Sequence, residues 1–346
     1  MSDAEPPGIL PFQSIQALCA AGAVSAPSPW LHDQVQPASL DLRLGVRCWR
    51  VRASFLPGLG RTVRERIADV AMHEIDLSRG DGAVLERGCV YIAELQEALD
   101  LPPGISARAN PKSSTGRVDV FVRLLTDRSV LFDDVEEGYR GPTYVEIAPQ
   151  TFSVLVRTGT RLNQLRLKRG TPSALRTVSC GVDLTGEVAG FRARRHAGVV
   201  DLDREDGHDP RDFWQPLEPK TNREGRGELL LDPGEFYILA SKEAVEIPAL
   251  EAAEMTPIDP SVGEFRVHYA GFFDPGFGTE EADAVGSRGV LEVRSHETPF
   301  LLEDGQTVAR LVFQPLTERP THIYGHDGSH YQRQGLKLSK HFQAWR

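Results

Sequence analysis

A short run of hydroxyl and cationic side chains is the first feature with chemical potential. It reads Lys112-Ser113-Ser114-Thr115-Gly116-Arg117 and follows a proline. Backbone N–H groups, hydroxyl donors and a planar guanidinium in one turn suit a polyphosphate. A solvated surface turn has the same composition, so this run alone leaves both interpretations open.

A carboxylate inside an apolar strand is the second feature. Glu146 lies in Tyr144-Val145-Glu146-Ile147, and Glu292 lies in the similar run Leu291-Glu292-Val293. A buried carboxylate with a pKa close to neutrality can act as both base and acid. The alternative is a solvent-facing side chain, because alternate residues of a strand point to opposite faces.

The third feature is the polar, glycine-bearing and aromatic segment from Tyr324 to Ser339. Such composition is typical of a flap that orders over a ligand. It is equally typical of a frayed chain end.

Most of the chain that must position these groups consists of short apolar runs separated by Gly, Pro, Asn and Asp. This pattern predicts a mainly β protein, with a helix near the start where Phe12, Ile15 and Leu18 share a face. The longest apolar runs fall far short of the roughly 18 residues of a membrane helix. The formal charge of -10 argues against nucleic-acid polymers and anionic membranes. Four cysteines without a CxxC pair indicate a reducing cytoplasm.

An internal repeat organises these strands. The same 146 residues separate Gly88 from Gly234, Tyr91 from Tyr237, and Glu146 from Glu292. A constant spacing over a long stretch predicts a tandem duplication of one domain. We place the first copy at residues 1–170 and the second at 171–346, and call them the first and second halves. Residues 187–227, which lack strong periodicity, are interpreted as an insertion in the second half.

The order of these motifs and their residue identities resemble those of the dCTP deaminases, in particular of their two-domain bacterial variety. This family belongs to the dUTPase-like superfamily of trimeric β-barrels. The resemblance implies two dUTPase-like barrels of β-clip or jelly-roll type with a few short helices. It is carried in the first half by residues 36–45, 112–117, 141–146 and 159–165, and in the second half by residues 232–236, 270–277 and 330–334.

The resemblance also implies the site residues. The second half keeps Glu292 but has Asp259 and Gly263 opposite Ser113 and Arg117, so catalysis is expected in the first half. The expected catalytic residues are Glu146, Ser113 and Arg117. The expected substrate-binding residues are Lys112, Ser114, Thr115, Gly116, Glu136, Tyr144, Val145, Tyr324, His330 and Gln334. If rings of barrels mix the two halves, Glu292 could instead face Ser113 of a neighbour.

The expected reaction is hydrolysis of dCTP to dUTP and ammonia, a step of pyrimidine deoxynucleotide biosynthesis. The sequence has neither the H-x-E nor the CxxC part of the zinc deaminase signature, so we expect no zinc and a Glu that relays protons. Magnesium is expected to arrive with the nucleotide and not to be held by the protein. Three two-barrel chains fill rings of three, which predicts a trimer.

Two other functions are also compatible with the sequence. One is a dUTP pyrophosphatase of the same superfamily, or a bifunctional enzyme that forms dUMP. The tail has Tyr331-Gln332-Arg333-Gln334-Gly335 where the pyrophosphatases carry a glycine-rich arm, which favours the deaminase. The other is a non-catalytic nucleotide-binding regulator, which the intact Ser113, Arg117 and Glu146 argue against.

Overall fold

The computed structural model describes residues 6–346 except 258–264, 268–270, 283–284, 296 and 326–330. It is mainly β, as predicted, with a few short helices. The described helices are α1 (Phe12–Ala20), α2 (Val63–Val70), α3 (Ser113–Gly116) and α4 (Pro210–Phe213). Helix α1 confirms the helix predicted near the start. No helix in the described part of the chain is both long and apolar enough to cross a membrane.

The first half is one barrel-like sheet with a small satellite sheet. Its long path runs β8-β10-β6-β3-β12-β7-β9, and β1, β2 and β4 pair with members of that path. Its strands are β1 (Gly8–Ile9), β2 (Val24–Ser25), β3 (Leu40–Val51), β4 (Ala71–Asp76), β5 (Ala83–Leu85), β6 (Val90–Asp100), β7 (Ile105–Pro111), β8 (Val120–Thr126), β9 (Asp134–Val135), β10 (Arg140–Pro149), β11 (Val154–Val156) and β12 (Arg161–Arg169).

The second half repeats this plan in smaller sheets, ordered β13-β25-β20-β22, β16-β14-β19-β23-β21 and β17-β18-β24. Its described strands are β13 (Arg176–Gly181), β14 (Gly190–Ala193), β15 (Val200–Asp201), β16 (Trp214–Leu217), β17 (Lys220–Thr221), β18 (Gly227–Leu231), β19 (Phe236–Ala244), β20 (Glu251–Pro257), β21 (Phe265–Val267), β22 (Phe272–Phe273), β23 (Arg288–Ser295), β24 (Phe300–Glu303) and β25 (Thr307–Pro315).

The repeat is preserved residue by residue in the strand pairing. Glu146 pairs with Ile92 across β10 and β6, and Glu292 pairs with Ile238 across β23 and β19. Each residue of the first pair lies 146 positions before its counterpart in the second pair. The phenol of Tyr237 accepts a hydrogen bond from the Asp232 N–H at 2.7 Å, and Tyr91 does the same in the first half. The tandem duplication read from the sequence is therefore confirmed.

The insertion contains more regular structure than its sequence indicated. Its strands β14 and β16 extend the sheet that carries Glu292, and β15 pairs with β11 of the first half. These strands are two to four residues long, which is too short for a period to be read from the sequence. The larger hydrophobic core accordingly runs from the first half into Trp214 of the insertion and Phe342 of the tail.

Candidate active site

A cavity of about 650 Å³ opens between the two halves. The first half contributes Ser113 and Arg117 to its wall, and the second half contributes Asp274 and Glu292. Tyr331 of the carboxy-terminal segment closes another side. A concave site with a few convergent polar groups is the usual form of a small-molecule site.

The turn that follows β7 presents the first-half residues. Strand β7 ends at Pro111, and the N–H groups of Thr115 and Gly116 then donate to the carbonyl of Lys112, at 2.9 and 3.0 Å. This tight turn directs Ser113 and Arg117 to the cavity, while Thr115 and Gly116 are buried behind it. Of the run predicted to bind substrate, Lys112 and Ser114 also line the cavity.

Glu292 is the carboxylate that faces Arg117. It projects from β23, is 5% exposed, and its Oε1 lies 3.9 Å from the Nε of Arg117. Burial raises the pKa of Glu292 to about 7, and the nearby Arg117 charge only partly opposes this rise. A carboxyl group with this pKa can accept and return a proton near neutral pH.

The guanidinium of Arg117 is held mainly by the tail. Its Nη1 donates to the Lys337 carbonyl at 3.0 Å, and its Nη2 donates to Oε1 of Gln334 at 3.0 Å. The Tyr331 ring lies beneath it at 4.0 Å. The Nε of Arg117 has no hydrogen-bond partner among the described residues. The predicted flap is thus an ordered wall of the site at these positions.

Cations gather at another part of the cavity, each beside a carboxylate. Lys112 forms an ion pair with Asp41, and Arg161 lies 3.3 Å from the same carboxylate. Lys340 pairs with Glu205 at 2.6 Å. Burial lowers the pKa of Lys112, and the Asp41 charge opposes that effect. Sequence reasoning missed two of these cations: Arg161 lies inside a quoted motif, whereas nothing in the sequence pointed to Lys340.

Asp274 is a further carboxylate that was not assigned to the site from sequence, although its motif was recognised. Arg166 of the first half donates to Asp274 at 2.9 Å and to the Ala253 carbonyl at 2.9 Å. The guanidinium of Arg166 also stacks on the Phe272 ring at 4.0 Å. Burial raises the pKa of Asp274, although the ion pair with Arg166 opposes the rise. The pair fixes Asp274 as an acceptor on the cavity wall.

The structure does not bring Glu146 to this cavity. Its carboxylate is 1% exposed and accepts a hydrogen bond from the Nε of Arg123 at 2.9 Å. Arg123 in turn stacks on Phe132 at 3.6 Å. The reason is the arrangement of the halves: β23 of the second half, and not β10, lies across from the turn at Ser113. The expected grouping of Glu146 with Ser113 and Arg117 is therefore not found within the chain.

Of the remaining residues expected to bind substrate, some line the cavity and others do not. Tyr324 and Gln334 line the cavity. Tyr144 and Val145 are buried on β10 beside Glu146, and Glu136 is exposed in the turn before it; none of the three lines the cavity. His330 lies outside the described residues. Within the described ranges, no three His, Cys, Asp or Glu side chains converge to hold a metal ion.

Comparison with known proteins places these features in a family. Residues 6–171 match the model of the 2'-deoxycytidine 5'-triphosphate deaminase (DCD) N-terminal domain, and residues 156–342 match its C-terminal domain. The crystal structure of 2'-deoxycytidine 5'-triphosphate deaminase from Agrobacterium tumefaciens superposes with a TM-score of 0.84 at 51% identity. That match covers 90% of this chain and 99% of the other.

Curated relatives carry two kinds of name. A dCTP deaminase of Halorubrum lacusprofundi is 27% identical over 152 residues, which is 44% of this chain and 71% of the relative. A "dCTP deaminase, dUMP-forming" of Streptomyces griseus is 30% identical over 173 residues, which is 48% of this chain and 82% of the relative.

Proposed function

We propose that this chain, which belongs to the 2'-deoxycytidine 5'-triphosphate deaminase family, hydrolyses dCTP to dUTP and ammonia. The observation that carries the proposal is the buried Glu292, with a pKa of about 7, beside Arg117 in a cavity that Ser113 also lines. Deamination needs one group that alternates between base and acid, and this carboxyl group has the required pKa.

The reaction can be followed atom by atom. The oxygen of a water molecule bonds to C4 of cytosine, and the C4–N bond to the amino group breaks. Of the two water protons, one ends on N3 of the ring and one on the departing ammonia. Glu292 relays these protons, Arg117 stabilises the charge that develops during addition, and the Ser113 hydroxyl orients the water or the base.

The triphosphate and the sugar of the nucleotide can be assigned to charged groups of the cavity. Lys112, Arg161 and Lys340 form the cationic part of the cavity and would bind the triphosphate. Asp274, fixed by Arg166, would accept a hydrogen bond from a sugar hydroxyl. Magnesium enters as part of the nucleotide complex. This nucleotide-borne magnesium, the trimer and the cytoplasmic location stay predictions.

The pH dependence of the wild-type reaction follows from Glu292. Because its ionised form must accept the first proton, activity is present above the raised pKa and is lost as pH falls through about 7. We expect kcat/KM for dCTP to fall roughly tenfold per pH unit below that point and to level off above about pH 8. Steady-state kinetics from pH 5.5 to 9 in excess Mg²⁺ measure this, and a flat profile across the range would contradict the assignment.

A bifunctional reaction ending in dUMP is the second candidate, favoured by the dUMP-forming name of the Streptomyces griseus relative. Incubation with dCTP and separately with dUTP, followed by measurement of ammonia and pyrophosphate, separates the cases. Ammonia from dCTP without pyrophosphate supports the first proposal, and both products from dCTP support the second. Pyrophosphate from dUTP without ammonia from dCTP indicates a pyrophosphatase, and neither product indicates a regulator.

A further inference from the structure

A turn of the insertion, residues 203–208, lies against the end of the carboxy-terminal segment. The N–H of Asp206 donates to the Lys340 carbonyl at 2.9 Å, and the N–H of Gly207 donates to the His341 carbonyl at 3.1 Å. Gln343 returns a hydrogen bond to the His208 carbonyl at 2.9 Å. These backbone bonds join two segments that are far apart in sequence.

Strand β15, which leads into this turn, is anchored to the first half of the chain. The N–H of Val200 donates to the Ser153 carbonyl at 3.0 Å. The guanidinium of Arg157 binds both carboxylate oxygens of Asp201, at 2.7 and 3.0 Å. A bidentate pair of this kind fixes geometry as well as charge. The position of the turn is therefore set by the first half, which also supplies Arg117.

The carboxy-terminal segment contacts the turn at residues 112–117, called the catalytic turn below, between two separate anchors. Upstream, the side chain of Gln334 donates to the Arg288 carbonyl at 2.8 Å on the second half. Downstream, residues 340–343 bind the insertion. Between them, Ser339 donates to the Ser114 carbonyl at 2.8 Å, and the Lys337 carbonyl accepts from Arg117. The stretch that contacts the catalytic turn thus depends on the downstream anchor.

We propose that residues 203–208 are a clasp that holds residues 337–343 against the catalytic turn and so positions the Arg117 guanidinium. The insertion is then a positioning element of the active site, although it contributes no group to the chemistry. The placement of the tail does not depend on the reaction proposed above; only the kinetic consequence rests on it.

Asp206 offers a sharp test because its backbone has a φ of 49°. Proline fixes φ near −65° and has no N–H, so Asp206→Pro removes the turn and the bond to Lys340. Glycine adopts positive φ readily and keeps the N–H, so Asp206→Gly is the matched control. Residues 203–206 are exposed, so the substitution should disturb the clasp without disturbing the hydrophobic core.

Hydrogen exchange of the nucleotide-free full-length protein measures the tail directly. In Asp206→Pro we expect the amides of residues 337–343 to exchange at least ~10-fold faster, because a local opening replaces the clasped state. The amides of residues 332–334, on the upstream anchor, and the whole of Asp206→Gly should match the wild type. Unchanged exchange at 337–343 in Asp206→Pro would overturn the clasp.

Kinetics then test the positioning role. With Arg117 free to reorient, we expect kcat for dCTP in Asp206→Pro to fall roughly 10-fold or more, with the thermal midpoint close to that of the wild type. Faster tail exchange with unchanged kcat would refute the positioning role while leaving the clasp. Absence of deamination in the wild type would refute the proposed function and leave the exchange result standing.

A milder variant covers the case in which Asp206→Pro fails to fold. Glu205→Gln removes the half-exposed ion pair with Lys340 and keeps the backbone of the turn, so exchange at residues 337–343 should rise about twofold. Glu218→Gln, an exposed carboxylate elsewhere in the insertion, is its control and should change nothing. Equal exchange in the two variants would count against the clasp.

Discussion

Replacing Glu292 with glutamine is expected to lower kcat for dCTP deamination by about 10³-fold while nucleotide binding is largely retained. Glutamine has nearly the same shape but cannot relay a proton. The nucleotide contacts assigned to Lys112, Arg161 and Lys340 are untouched by the change. Single-turnover ammonia release measures the chemistry, and titration with dUTP measures binding.

Glu146→Gln is the matched control, because Glu146 occupies the equivalent strand position 146 residues earlier. Its carboxylate pairs with Arg123 away from the cavity, so we expect kcat within about threefold of the wild type and a lower melting temperature. The sequence motifs alone predicted the opposite ranking of these two variants. A loss in Glu146→Gln as large as that in Glu292→Gln would contradict the assignment of the proton relay to Glu292.

The fold was predictable because local patterns encode it. The turn at Gly88 recurs at Gly234, and the buried Tyr91 and Tyr237 each accept a hydrogen bond from a backbone N–H five residues earlier in the chain. Such features depend on neighbours in sequence, so they can be recognised without knowing how the halves meet. The strands of the insertion could not be predicted, because at two to four residues they are too short to show an alternating pattern.

The choice of carboxylate depends on a contact between halves, which no local motif records. A signal was nevertheless present in the pattern of losses. The first half keeps Ser113 and Arg117 but has no clean counterpart of Asp274-Pro275-Gly276, whereas the second half keeps Asp274 and Glu292 but lacks the serine and arginine. If the two halves share one site, each half needs to retain only the groups that face the cavity. The two halves are then expected to lose different motif residues. Completeness of the motif within one half does not show which carboxylate lies beside Arg117 in the folded chain.

Two substitutions of Arg117 separate its geometry from its charge. Arg117→Lys keeps the charge but loses the planar fork that bonds Lys337 and Gln334 together and stacks on Tyr331. We expect kcat/KM for dCTP to fall about 10²-fold. The pH at which activity rises should stay near 7, because a cation still lies beside Glu292.

Arg117→Gln removes the charge that opposes the raised pKa of Glu292. The carboxylate should then ionise at higher pH, so the rise in kcat/KM should move above pH 7, in addition to a loss at least as large as that in Arg117→Lys. Arg123→Lys, which alters the guanidinium beside Glu146, is the control and should leave the pH profile in place. A profile that stays at pH 7 in Arg117→Gln would show that the titrating group is not the carboxyl beside Arg117. The direction of this shift therefore tests the assignment of Glu292 independently of its own replacement.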